Sequence, residues 1–274
     1  MTTSTAQLPD LSSRHPVDDA TAAAFQRDGH ALVRGLAAPE EVAPYRDVIS
    51  GATRRHSTET RPLEERDTYG KAFLQVPNLW QEDAGVARFV TAARFAGVAA
   101  RLLGVDRVRL YHDQALYKEA GGGRTPWHQD ALYWPFDTDA TITMWMPLVD
   151  VAEDMGGLSF ASGSHRGRAL GEHVISDASD EYFTELLNRG EFPVVEPGAL
   201  RAGDATFHLG WTLHRARPNT SAVLREVMTV IYVADGVRVA EPANRDQAAD
   251  LATWLPGHSP GDVVTGEFNP RLPA

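Results

Sequence analysis

The sequence predicts a mainly β fold, a barrel or jelly roll braced by helices. Three observations lead there. Helical periodicity is concentrated in roughly the first hundred residues. Beyond Val105 the chain becomes a succession of short, alternating or Val/Ile/Thr-rich runs separated by Pro and Gly turns. No internal repeat, low-complexity tract or domain-sized linker divides it. With 274 residues, 43% of them hydrophobic, the chain can bury one large core, and all-β barrels of such length commonly form a single domain. One domain is therefore expected over residues 17–274, behind a polar, Ser/Thr-rich flexible arm over residues 1–16.

The elements follow in order. Val17 to Asp28 places Asp18 and Asp19 ahead of Ala22, Ala23, Ala24 and Phe25, the pattern of a capped short helix that Gly29 ends. His30 to Gly35 reads as a strand. Pro39-Glu40-Glu41 opens a second helix that runs to about Arg55. The charged stretch His56 to Tyr69 reads as loop, and Lys71 to Val76 as a strand. Asp83 to Leu103 carries Val86, Phe89, Val90, Ala93, Phe95, Val98 and Leu102 mostly at helical spacing, a single helix closed by Gly104. Strands are then expected over Val105 to Lys118, Ala140 to Val149, Leu158 to Ala161, Phe192 to Val195, Asp204 to His208 and Arg225 to Val233. A short helix is expected at Asp180 to Leu187, and an irregular tail from Ala240.

Composition excludes several function classes. A net charge of -11 argues against nucleic acid or an anionic membrane surface as the main partner. No cysteine is present, which rules out disulfides, thiolate nucleophiles, iron–sulfur clusters and Cys-based zinc sites. A metal would have to be held by His, Asp or Glu. The opening residues lack the apolar stretch of a signal peptide, and no apolar run is long enough to span a bilayer. The expectation is a cytoplasmic protein, monomeric or homodimeric, working on a small molecule.

Pro126-Trp127-His128-Gln129-Asp130 is the stretch that carries chemistry. In an extended segment residues two apart project to the same side, so His128 and Asp130 can converge on one ion. That is two-thirds of a 2-His-1-carboxylate facial triad. His-x-Asp alone is a weak signal, and a polar surface loop is the commoner meaning. Here large apolar residues surround the pair and the run Gly121-Gly122-Gly123 precedes it. Of the ten histidines, His214 is the favoured third ligand, with His208 its competitor. His214 is favoured because the turn Arg217 to Ser221 leads to Arg225, which a hairpin-like return would bring beside the ligand strand. Arg225 is a bidentate donor for carboxylates. It would be costly to bury without an acid, and a dicarboxylate co-substrate would supply one.

These residues resemble a known family. Trp127-His128-Gln129-Asp130, then Met155-Gly156-Gly157-Leu158-Ser159-Phe160 with Ser162-Gly163-Ser164-His165, then Gly203-Asp204, His214, Pro218-Asn219-Thr220-Ser221 and Arg225 are together similar to the phytanoyl-CoA dioxygenase family. The resemblance extends from about Phe25 to about Tyr232. It implies a double-stranded β-helix (jelly roll, cupin-like) core and an Fe(II)- and 2-oxoglutarate-dependent dioxygenase that uses O2. It further implies that His128, Asp130 and His214 hold iron and that Arg225 takes the distal carboxylate of 2-oxoglutarate. By the same resemblance Trp145 and Thr143 line the co-substrate pocket and Gln114 holds its other end. Many members have a small hydroxyl residue two positions after the distal histidine. This chain has Ala216, and Ser221 or Thr143 is expected to replace that hydroxyl. Retention of Asp130 points away from the related halogenases, which lack this carboxylate.

The substrate is less determined. Trp127, Tyr133, Trp134, Phe136 and Trp211 are candidates for an aromatic pocket mouth suited to a flat or polycyclic ligand. Ordinary core packing is the competing explanation for each. Few basic clusters are available for a CoA phosphate. The favoured reading is a natural-product tailoring enzyme that catalyses hydroxylation, oxidative ring closure or epimerisation on a substrate such as a glycosylated polyketide. An acyl-CoA or amino-acid hydroxylase is the alternative, and a non-catalytic jelly-roll binding module a remoter one. Glu119 to Thr125, Trp134 to Ala140 and His165 to Gly190 are candidate mobile rims.

Overall fold

A computed structural model describes residues 8–171 and 173–273. The helical layer forms first. Helix α1 (Asp19–Asp28) is capped by Asp18, whose carboxylate accepts the Thr21 N–H, and ends at Gly29 in the left-handed region at φ 80°. A Cβ at Gly29 would also lie 2.3 Å from the His165 ring, so both conformation and space demand glycine there. Strand β1 (His30–Val33) leads to α2 (Pro39–His56), where Glu41 accepts the Ala38 N–H and closes the first turn.

Four expectations change in this half. Within the arm, residues 1–7 lie outside the described residues. Residues 8–16 are not loose: Leu8 and Leu11 are buried in the main core, and Tyr45 donates its hydroxyl to the Pro9 carbonyl. Two apolar side chains that find a core outweigh the polar composition around them. The stretch 56–69 contains a 3-10 turn at Leu63–Glu65, and its end enters α3 (Thr68–Ala72), capped by Asp67. Strand β2 is therefore shifted to Leu74–Pro77. Helix α4 (Leu79–Glu82) follows, and the expected single helix over 83–103 is two, α5 (Ala84–Val90) and α6 (Ala93–Leu103). Between them Ala92 is extended (φ −59°, ψ 127°), and the Thr91 hydroxyl bonds back to Ala87. The break lets Phe89 and Phe95 meet edge to face at 5.0 Å.

The remaining strands build two antiparallel sheets. They are β3 (Val108–Tyr117), β4 (Thr125–His128), β5 (Thr141–Pro147), β6 (Leu158–Ala161), β7 (Val194–Val195), β8 (Ala205–Leu209), β9 (His214–Ala216) and β10 (Val227–Ala234). Helix α7 (Asp177–Asn188) lies between β6 and β7, and α8 (Arg245–Trp254) follows β10. The larger sheet has the order β1-β8-β5-β10-β3-β2 and the smaller β4-β9-β6-β7. Two such sheets face to face make the double-stranded β-helix.

Strand alternation decides which side chains meet the helices and which meet the cavity. On β5, Ile142, Met144 and Met146 join the helix-side core, while Thr143 and Trp145 line the cavity. On β10, Met228, Val230 and Tyr232 go to the core and Thr229 and Ile231 to the cavity. On β8, Phe207 and Leu209 go outward and His208 inward. The tail expected to be irregular contains α8, which is capped by Asn244 accepting the Gln247 N–H and which lines the cavity with Asp250 and Trp254. Among the described residues no helix is long and apolar enough to cross a membrane.

Candidate metal and co-substrate site

His128 ends β4 and pairs across the smaller sheet with His214, the first residue of β9. Gln129 remains extended, and Asp130 then opens a 3-10 turn. One donor atom from each of His128, Asp130 and His214 lies within 4.8 Å of the others. Asp130 Oδ1 is 3.5 Å from His128 Nε2 and 3.7 Å from His214 Nε2. The far ring nitrogens are engaged: His128 Nδ1 with the Pro126 carbonyl at 2.8 Å and His214 Nδ1 with the Thr212 carbonyl at 2.9 Å. Both contacts place the proton on Nδ1 and leave the Nε2 lone pairs aimed at the shared point.

His208 approaches from the larger sheet but in a different way. Its Nε2 lies 3.3 Å from Asp130 Oδ2, the oxygen that also accepts from the Thr143 hydroxyl at 3.1 Å. Asp130 thus turns one oxygen to the two histidines and has the other held by His208 and Thr143. Burial alone would raise the Asp130 carboxyl, but His214, His128 and His208 together hold it well below the usual carboxylate range. Burial, with His128 and His208 nearby, keeps the His214 imidazole well below its ordinary value and therefore neutral. Two imidazoles and a carboxylate, open on one side to a cavity of about 360 Å³, fit a divalent iron.

Arg225 is at the floor of the same cavity and is 1% exposed. It does not return beside the ligand strand as the hairpin expectation had it. Its backbone bridges to Lys118, next to β3, so Arg225 enters from the larger sheet while His214 stands on the smaller one. The guanidinium donates to the Gly156 carbonyl and lies 5.3 Å from the Trp145 ring centroid. Its Nε has no partner, and no carboxylate pairs with it among the described residues. Burial pushes it down to about 9. A buried cation with an orphaned donor at the end of an open cavity fits a small dicarboxylate.

A model of the family described as phytanoyl-CoA dioxygenase matches residues 25–227. The chain belongs to the phytanoyl-CoA dioxygenase family. An ectoine dioxygenase from Sphingopyxis alaskensis is 23% identical over 190 residues, covering 68% of this chain and 61% of that protein. The chain spans between 48% and 61% of the length of the curated relatives it matches. Solved structures match more fully. The non-haem α-ketoglutarate-dependent carbocyclase SnoK from nogalamycin biosynthesis is 26% identical with a TM-score of 0.76, over 93% of this chain and 96% of that one. The epimerase SnoN, solved with Fe3+, α-ketoglutarate and nogalamycin RO, is 28% identical with a TM-score of 0.75, over 92% and 97%.

In this phytanoyl-CoA dioxygenase family member, Thr143, Trp145, Gln114, Tyr133 and Trp134 all line the cavity. Gln114 accepts from the Gln75 amide at 2.8 Å. Four other expected site residues are elsewhere. Trp127 points to the opposite side of β4 from His128 and is buried with Ala161, Phe183 and Leu213, under the Arg215 guanidinium. Phe136 packs on Tyr111, and the Trp211 ring is tied to Asp139 at 2.9 Å. Ser221 bonds Asn219 and Val223 within its own turn. Strand alternation explains Trp127; Trp211 and Ser221 sit in turns and Phe136 in an isolated bridge to Val239, whose directions no periodicity specifies.

The sequence reading missed Thr125, Tyr69, Phe73, Asp250 and Trp254, all on the cavity wall. Thr125 is the register partner of Ala216, and its buried hydroxyl has no partner. Its position three residues before His128 was the available signal. Of the three candidate rims, Glu119 to Thr125 is pinned by Gly123 N–H to Lys71 O, Gly121 N–H to Asn219 O and Asn219 N–H to Gly122 O. Each rim gives the cavity one lining residue, Thr125, Trp134 and Ile175, and the Ile175 N–H, just before α7, donates to the Tyr133 hydroxyl.

Proposed function

We propose that this chain is a non-haem Fe(II)- and 2-oxoglutarate-dependent oxygenase acting on a C–H bond of a small molecule, in a natural-product tailoring step. One observation carries the reading: the His128–Asp130–His214 donors and the unpaired, buried Arg225 share a single cavity. His128, Asp130 and His214 would hold the iron, which with 2-oxoglutarate and O2 supplies the oxidising chemistry. Thr143 and His208 orient Asp130 by holding its second oxygen. Arg225 takes the distal carboxylate, and the free Thr125 hydroxyl, opposite Ala216, provides the hydrogen bond that this chain lacks at 216. Trp145 covers the guanidinium and excludes water from it. The tailoring assignment draws on the likeness to SnoK and SnoN and on the aromatic side of the cavity. Hydroxylation, ring closure and epimerisation are all compatible with it.

The direct test is to mix purified protein with Fe(II), 2-oxoglutarate and O2 and follow succinate. Slow, iron-dependent succinate formation without added substrate is the expected result. A protein that binds Fe(II) and 2-oxoglutarate but forms no succinate with any member of a polyketide and glycoside panel would sink the enzymatic reading in favour of a binding module.

A further inference from the structure

The cavity has a second end, away from Arg225. Arg225 bridges to Lys118 just beyond the end of β3, whereas the other end is lined by His112, nearer that strand's start. The pairing of Ile231 with His112 and of Tyr232 with Leu110 leaves Tyr111 as a bulged residue. Its hydroxyl donates to Asp250 Oδ2 at 3.2 Å. Asp250 stands on α8, and Trp254, one turn later, stacks on His112 with centroids 4.8 Å apart. Tyr69, Tyr133 and Trp134 complete this wall. Asp250 and Trp254 lie beyond residues 25–227, the stretch that the family model matches.

Charge balance separates the two ends. On the oxygenase reading, a dication and Arg225 face Asp130 and a dicarboxylate, and these formal charges cancel. Asp250 is then left over. Arg225 is the only Lys or Arg among the described lining residues, and it is at the far end. A carboxylate among aromatic faces, in a part-enclosed hollow, is the arrangement that recognises alkylammonium groups, by an ion pair and by cation–π attraction.

We propose that Asp250 is a specificity-determining residue that receives a protonated amine of the substrate, with Tyr69, Tyr133, Trp134 and Trp254 as the aromatic walls around it. The proposal rests on the oxygenase reading for its charge balance and narrows the substrate to an amine-bearing, partly apolar molecule. Burial, aided by Asp246 and Asp130, holds the Asp250 carboxyl up at about 7 against the hydrogen bonds from Tyr111 and Trp254. A cation seated beside it would favour the charged form.

The test uses two probes of the same shape, phenethylamine and 2-phenylethanol, titrated into anaerobic protein loaded with Fe(II) and 2-oxoglutarate at about pH 8. Binding is read from tryptophan fluorescence. The amine should bind about tenfold more tightly than the alcohol. Asp250→Asn should remove that preference while leaving the affinity for the alcohol and for 2-oxoglutarate unchanged, and Asp250→Glu should restore part of it. Equal binding of the two probes to the unmodified protein overturns the proposal, even if a variant fails to fold. An amine preference that survives Asp250→Asn does so too. Failure of the oxygenase reading looks different: no absorption band from an iron–2-oxoglutarate complex, whatever the probes do.

Discussion

His128 and His214 are direct cross-strand partners, with ring centroids 4.1 Å apart, and each is oriented by a carbonyl two residues before it on its own chain segment. The pairing of β4 with β9 therefore sets the distance between the two nitrogen donors, and Asp130 closes the set from the turn that follows. His208, on the other sheet, reaches only the outer oxygen of Asp130.

This arrangement separates ligand from support. His214→Ala should lower Fe(II) affinity by about a hundredfold or more, because a three-donor site loses one donor. His208→Ala should retain one iron per chain, with affinity reduced by about tenfold, the lower end of the effect of residues that only orient a ligand. Equilibrium dialysis with iron analysis distinguishes them. Loss of iron from His208→Ala and not from His214→Ala would reverse the assignment.

Arg225 offers a second measurement. Arg225→Ala should weaken 2-oxoglutarate binding by about a hundredfold while leaving Fe(II) bound, since a desolvated charge pair to a carboxylate is lost. Thr125→Val should weaken it by a smaller factor, about five- to tenfold, for one neutral hydrogen bond. Calorimetric titration of the iron-loaded proteins gives both numbers. An unchanged affinity in Arg225→Ala would place the distal carboxylate elsewhere.

Lys118 gives a pH dependence. The side chain is fully buried and donates to the Gly123 carbonyl, and burial first, then Arg225, brings its amine down to about 6. An unfolded lysine titrates at about 10.4. Between those values the unfolded chain carries a proton that the folded chain lacks, so stability rises with pH across the window and is flat below it. Lys118→Met should therefore be more stable than the unmodified protein near neutral pH, by about 2 kcal/mol. That gap should close as the pH approaches about 10. Thermal melts across this range check it, and a gap independent of pH would mean that the amine is not buried neutral.

Trp127 tests the geometry of β4. Because its ring is in the cluster behind the metal-ligand strand, Trp127→Phe should cost about 1–2 kcal/mol of stability. It should leave the affinity for 2-oxoglutarate unchanged. Denaturant unfolding and the same calorimetric titration settle the matter; a loss of co-substrate affinity without loss of stability would put the ring back at the cavity.

By itself the sequence determined the elements whose information is local. Asp18 and Gly29 bound α1, and the two-residue spacing of His128 and Asp130 brought two donors to one side. The motifs in order carried the family and, through it, His214 and Arg225. What only the tertiary structure decided depends on contacts between distant segments. The choice of His214 over His208 follows from β9 pairing with β4 while β8 lies in the other sheet. The partnerless Thr125 hydroxyl becomes meaningful only when Ala216 is seen opposite it. Asp250 and Trp254 looked like tail residues until α8 folded back onto the cavity. Sequence pattern records which way a side chain points along its own strand or helix; it does not record which other segment it will face, because that is set by the packing of the whole core.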